Sequence, residues 1–198
     1  PSLCQDDHER GLTMAKKDLA QVAEAFSEFS SEFSDLFKCH RYNNGKTAYR
    51  YLCGLVQTDK GNMERMEERV VGSDYETFQN FITDSPWSYR GVMDRVAQFA
   101  DQLIGSDTTA LIIDESCFEK KGSKSVGVGR QWNGRQGKVD NCQVGVFAAL
   151  SKGNKVIPVD GELFLPASWT DDHSKCAKEK IPEDRWENGH LSKIEIAY

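Results

Sequence analysis

The sequence has no run of about 18 apolar residues, the length at which a segment reads as a helix spanning a bilayer, so no helical membrane span is expected. The first residues, "PSLCQDDHER", lack the basic-then-apolar order of a secretory leader, and a cytoplasmic chain is expected. There is no CxxC pair. The six cysteines (Cys4, Cys39, Cys53, Cys117, Cys142, Cys176) are scattered, as expected of reduced thiols that fill core or surface. Cys39–His40 and His173-x-x-Cys176 have no second pair at zinc-finger spacing, so no structural zinc is expected. Internal repeats and low-complexity tracts are also missing, which excludes a solenoid or a disordered linker protein.

What is present is an ordinary globular composition, 38% apolar and 28% charged over 198 residues, enough for one large domain or two small ones. The net charge of −6 argues against wholesale coating of nucleic acid, but the charge is segregated. Residues 1–110 carry 12 basic against 18 acidic side chains, whereas 111–198 carry 13 of each. Within the second part, residues 120–138 hold Lys120, Lys121, Lys124, Arg130, Arg135 and Lys138 with no acid among them. Such a stretch steers a polyanion or is simply a solvated loop; charge alone leaves both readings open.

The pattern changes character near residue 106. Before it, Leu12, Ala15, Leu19, Val22, Phe26, Phe29, Phe33 and Leu36 recur at steps of three and four and predict one long amphipathic helix. That stripe suits packing on the following helices or a coiled-coil partner. "RYNNGK" breaks it. Shorter helices follow at about 46–57, 61–71 and 74–83. Pro86 opens another, with Val92, Val96, Phe99 and Leu103 on one face. A bundle of this kind can present a helix, and with it Arg41, Lys46 and Arg50, to DNA, but helix count alone does not show it.

After "GSDTT" the periodicity becomes extended. Residues 110–114 read as a short buried strand, central in a mixed sheet. Strands near 126–130, 143–150 and 156–165 are expected to pair antiparallel with their sequence neighbours. "SKGNK" reads as a hairpin turn, and Pro158 as an edge or bulge. Residues 190–198 read as a helix beginning. The fold class is therefore α+β: a helical region over 1–106, then over 107–198 the order that opens an RNase H-like mixed sheet.

Asp114 ends the apolar run "ALIID". A carboxylate on a strand end suits a divalent cation, because phosphodiester chemistry with Mg²⁺ needs hard oxygen ligands. Glu115 should face the opposite side of the strand. The plainer reading is that Asp114 caps a turn or pairs with Lys120 or Lys121. Asn141 and Gln143 bond DNA or each other; the sequence leaves this open. Trp132 stacks on a splayed base or packs as an edge-strand aromatic.

The longer stretch "LIIDESCFEKKGSKSVGVGRQWNGRQGKVDNCQVGVFAAL", with "GELFLPASWTDD" and "IPED", closely resembles insertion-sequence transposases of the DDE superfamily, the group with an RNase H-like catalytic domain. "YRYLCGLVQTDKGNMERM" and "FITDSPW" resemble the family's N-terminal part more loosely. The resemblance implies a metal-dependent enzyme, using Mg²⁺ or Mn²⁺, that cuts and joins DNA strands at element ends. Asp114 matches the first acid of the triad and its metal ligand. The second Asp and the Glu would fall beyond Tyr198, so the chain reads as a fragment, inactive alone. Asp160, Asp171 and Asp172 are weaker stand-ins. Lys120, Lys121, Lys124, Arg130, Trp132, Arg135 and Lys138 are then the expected DNA contacts, with the lysines beside Asp114 holding the phosphates on which the metal acts. The implied partners are double-stranded DNA, as element ends and target, and a second copy of the chain, with no membrane and a nucleoid-associated location. Competing readings are a non-catalytic DNA-binding or dimerising fragment, and a nuclease without strand transfer.

Overall fold

The computed structural model describes residues 16–59 and 61–197. Residues 12–15 of the expected first helix lie outside the described residues. The chain divides into two compact units, one ending at Val92 and the other beginning at Met93.

In the first unit, α1 spans Lys16–Ser31 rather than running on to Leu36. The Ser30 and Ser31 hydroxyls donate to the carbonyl oxygens of Ser27 (3.0 Å) and Glu28 (2.7 Å), and the backbone then tightens into three-residue steps through Lys38. Serines that compete for backbone carbonyls end helices, and the tighter turn carries Phe33 and Phe37 into the interior. Two short strands, β1 (Lys38–Cys39) and β2 (Tyr42–Asn43), form a small hairpin. Then follow α2 (Gly45–Gln57), α3 (Met63–Arg69) and α4 (Tyr75–Thr83), close to the expected spans. Asn62 and Asp74 cap α3 and α4 through backbone N–H groups of Glu64 and Thr77, both at 2.8 Å. Met66 and Phe78 are fully buried, each contributing roughly 2–3 kcal/mol by area. Phe81 and Trp87 stack, Phe37 meets Trp87 edge-on, and Trp87 Nε1 donates to Phe81 O at 2.8 Å. On α1, Leu19, Val22 and Phe29 stay half exposed.

Helix α5 (Tyr89–Ile104) crosses the division between the units. Its buried positions are Ala100 and Ile104, while Leu103 is 66% exposed. The expected stripe thus ends one position off, because adjacent i, i+4 rows are equally apolar there.

The second unit is built on β3 (Ala110–Glu119), β4 (Gly129–Asn133), β5 (Lys138–Lys152) and β6 (Lys155–Phe164). β5 is the spine. β3 pairs along one of its edges, and β4 and then β6 pair along the other. Every pairing is antiparallel, so the sheet is not mixed among the described residues. β3 lies at an edge rather than at the centre and runs ten residues, with Leu111, Ile112 and Ile113 exposed. It pairs with β5 and not with its neighbour in sequence, β4. An apolar run shows only that a strand can be covered; which edge is covered depends on partners far along the chain. The β5–β6 register shifts at Ala148/Ala149, opposite Pro158, which has no N–H to give the ladder. Gly153 at φ 61° turns the hairpin.

Short helices α6 (Ala167–Thr170) and α7 (His173–Lys178) follow, and α8 (Lys193–Ala197) comes after a 3-10 turn at Glu183–Arg185. Ile196 of α8 packs on Cys117, Cys142, Val144 and Phe164. The result is α+β, with the helices first and a strand-hairpin-helix order in the second unit, as the sequence implies for the opening of an RNase H-like sheet.

Candidate nucleic-acid and metal site

The ladder register sorts the sheet into two faces. Asp114 sits opposite Phe147. By alternation this face also holds Ile112, Ser116, Phe118, Gly145, Gln143, Asn141, Val139, Arg130 and Trp132. It is the open face: Ile112, Phe118, Trp132, Val139 and Phe147 are all more than a third exposed. The other face holds Glu115, Cys117, Cys142, Val144 and Val146 and carries the core under α8.

Asp114 is exposed, not buried, and its Oδ1 accepts from the backbone N–H of Glu115 at 2.8 Å. It neither caps a turn nor pairs with Lys120 or Lys121, because the strand continues through Glu119. Glu115 does face the other side, where Lys193 of α8 pairs with it. Phe147 lies flat beside Asp114: a Cβ on Gly145 or Gly161 would come within 2.6 and 2.7 Å of its ring. Phe118 meets that ring edge-on, with centroids 6.1 Å apart. The two glycines are what let a large aromatic lie across the sheet next to the carboxylate.

The lysines are not beside the acid. Lys120 stands six residues further along, about 20 Å at strand rise. At that end Lys120, Arg130 and Trp132 share the face of Asp114, while Lys121 and Lys124 lie in the exposed loop after β3 and Arg135 in the β4–β5 turn. Lys138 points to the other face, where it pairs with Asp140 at 3.1 Å. The N–H of Asn141, then Lys138, holds the Asp140 carboxyl below its usual range. Asn141 and Gln143 do not bond one another: both donate to carbonyl oxygens of the loop at 120–126. Glu119 gathers the β4–β5 turn, accepting from Asn133 at 3.4 Å and from Gln136.

Of the weaker acids, Asp160 aligns with Ala148 and so faces away from Asp114. Asp172 caps α7, accepting from Lys175 N at 3.0 Å, and Asp171 is exposed. Among the described residues no three His, Cys, Asp or Glu side chains are grouped to hold a metal. Asp114 fits a cation as a single oxygen donor on a rigid strand. Sequence reasoning missed the Glu115–Lys193 pair, the Phe147 platform and the side chains that hold the loop; the Gly-x-Phe spacing at 145–147 was the available signal for the platform. No described helix is long and apolar enough to cross a membrane.

No solved structure matches the chain. A curated relative, the probable transposase for insertion sequence element IS701 of Microchaete diplosiphon, is 34% identical over 126 residues, covering 60% of this chain. The chain spans only 32% of that relative's length. The family described as DDE superfamily endonuclease matches residues 32–197, from the end of the first helix through the whole sheet to α8. On that span, the chain belongs to the DDE superfamily of endonucleases.

Proposed function

We propose that the chain is part of a DNA transposase that cuts and joins DNA strands at element ends, with Asp114 as the first metal-binding acid. The observation that carries this reading is the placement of an exposed carboxylate on the ladder-held β3, on the same open face as Lys120, Arg130 and Trp132. A separation of about 20 Å along the strand corresponds to roughly six base pairs of duplex. On this reading the basic end contacts phosphates several steps from the one at Asp114. These contacts set register, while the aromatic face offers Trp132 for stacking.

Mg²⁺ or Mn²⁺, when bound, activates the attacking oxygen and stabilises the leaving one. Asp114 supplies one oxygen ligand. The remaining acids come from a longer polypeptide, and the outer edge of β3, unpaired among the described residues, is where a further strand carrying the second acid would lie. The half-exposed stripe on α1 (Leu19, Val22, Phe29) supports association with a second copy.

The test is Asp114→Asn in a polypeptide carrying all the acids. The amide keeps the shape and loses the charge, so strand cleavage should fall by roughly 10³-fold, the scale of losing one electrostatic element of a site. End binding should persist. Cleavage at the wild-type rate would place the metal elsewhere.

A further inference from the structure

The loop after β3 uses its backbone unevenly. Its carbonyl oxygens are taken by side chains from three other elements. Asn141 Nδ2 donates to Lys120 O at 2.6 Å and Gly122 O at 2.9 Å, and Gln143 Nε2 donates to Val126 O at 2.5 Å. Gln131 Nε2 reaches Gly127 O at 3.2 Å, and the buried Trp169 Nε1 reaches Val128 O at 2.9 Å. Val128 N takes Ser125 O at 3.1 Å. The donors are treated differently. Among the described residues, the backbone N–H groups of residues 121 to 127 find no acceptor.

The imbalance has a chemical meaning. Within 121 to 127, the carbonyls of Gly122, Ser125, Val126 and Gly127 accept from protein donors while no N–H finds an acceptor among the described residues, an excess of free donors that presents positive partial charge, as where successive amides bind anions. Lys121 and Lys124 are exposed on the same loop, with no acid between residues 120 and 138. The loop is also held closely at its end: Gly127 has φ 74°, and a Cβ there would come 3.0 Å from Phe164 O. Main-chain amides combined with lysines suit a phosphate, which accepts several hydrogen bonds at once.

We infer that residues 121 to 127 form a phosphate-binding loop for the DNA backbone, in which main-chain N–H groups act with Lys121 and Lys124, and that Asn141 and Gln143 are its positioning residues. This rests on the transposase reading for the source of the phosphate, but not for the anion site itself. Neither amide touches the ligand; each holds carbonyls inward so that the N–H groups stay outward.

The test follows the amide resonances of the 198-residue chain during titration with a short duplex and, separately, with inorganic phosphate. Residues 121 to 127 should shift saturably with the duplex. Asn141→Leu with Gln143→Met should loosen the loop, read as lower backbone order parameters at 121 to 127, and weaken duplex binding by about tenfold, the scale of one charge-assisted hydrogen bond. The salt slope should stay as in wild type, because no lysine is lost. Neutralising Lys121 and Lys124 should instead flatten that slope. Should the double variant not fold, Ser123→Pro, which deletes one exposed N–H, should bind more weakly than Ser123→Ala. Amides at 121 to 127 that stay still in both titrations, or a folded double variant with a more mobile loop and unchanged affinity, overturn the proposal while leaving duplex binding intact. Amides that move with inorganic phosphate in a chain that ignores duplex would uphold the anion site and sink the transposase reading.

Discussion

Lys193 holds the carboxylate of Glu115 on the face of β3 opposite Asp114, tying α8 to the strand next to the candidate metal ligand. The two side chains are 28% and 35% exposed, so solvent screens the pair only partly. Lys193→Met should cost about 1 kcal/mol by urea denaturation, above the surface-pair median and below a fully buried pair. Adding Glu115→Gln should restore part of that loss. Fully additive losses would mean that the two groups do not interact in solution.

Gly54 faces the fully buried Met66, and an added Cβ would meet Met66 Cγ at 2.7 Å and Cβ at 2.9 Å. In an open helix, alanine would gain roughly 1 kcal/mol over glycine. Overpacking of a core costs about 1–3 kcal/mol and is expected to win here. Gly54→Ala should therefore destabilise the helical unit, read as a lower melting temperature. An increase would show that α2 and α3 separate easily.

Several carboxyls sit below their ordinary values, among them Asp74 through the Thr77 hydroxyl and N–H, Asp140 through Asn141 N–H and Lys138, and Glu195 through the Ser192 hydroxyl and N–H. Groups with depressed folded values contribute stability that is present above their unfolded values, roughly pH 4, and lost as pH falls through the folded ones. Urea midpoints measured downward from pH 5 should fall. Asp74→Asn should flatten that fall, whereas an unchanged slope would remove Asp74 from the account.

One carboxylate cannot organise two Mg²⁺ ions, since Mg²⁺ demands near-octahedral oxygen coordination and dehydrates reluctantly. The 198-residue chain alone should show no nuclease activity with Mg²⁺ or Mn²⁺ on supercoiled DNA, yet bind duplex weakly and lose binding steeply with salt. Metal-dependent nicking that survives Asp114→Asn would show a different centre.

Much of this organisation was legible in the residues. The helices expected at about 46–57 and 74–83 lie at 45–57 and 75–83, the turn at Gly153 and the bulge at Pro158 follow from local chemistry, and the separation of Asp114 from Glu115 follows from the two-residue repeat of a strand. The misreadings concern relations across the chain. "ALIID" carries no mark of an edge, because burial of a strand depends on which others lie beside it. The lysines appear adjacent to Asp114 in sequence, but a strand that continues for five more residues carries them to its far end. Asn141 and Gln143 are polar side chains on an open face, and only the fold shows the carbonyls that they reach.

The outer edge of β3 has a further consequence for handling the isolated chain. Along that edge the backbone groups of alternate residues, other than the Glu115 N–H that Asp114 accepts, meet no strand among the described residues, and Leu111, Ile112, Ile113 and Phe118 flank them. An edge of this length and apolarity is a template for pairing with another copy, and only the charges of Asp114, Glu115 and Glu119 oppose it. Removed from whatever covers that edge, the protein should self-associate as its concentration rises, first through strands and then toward precipitation.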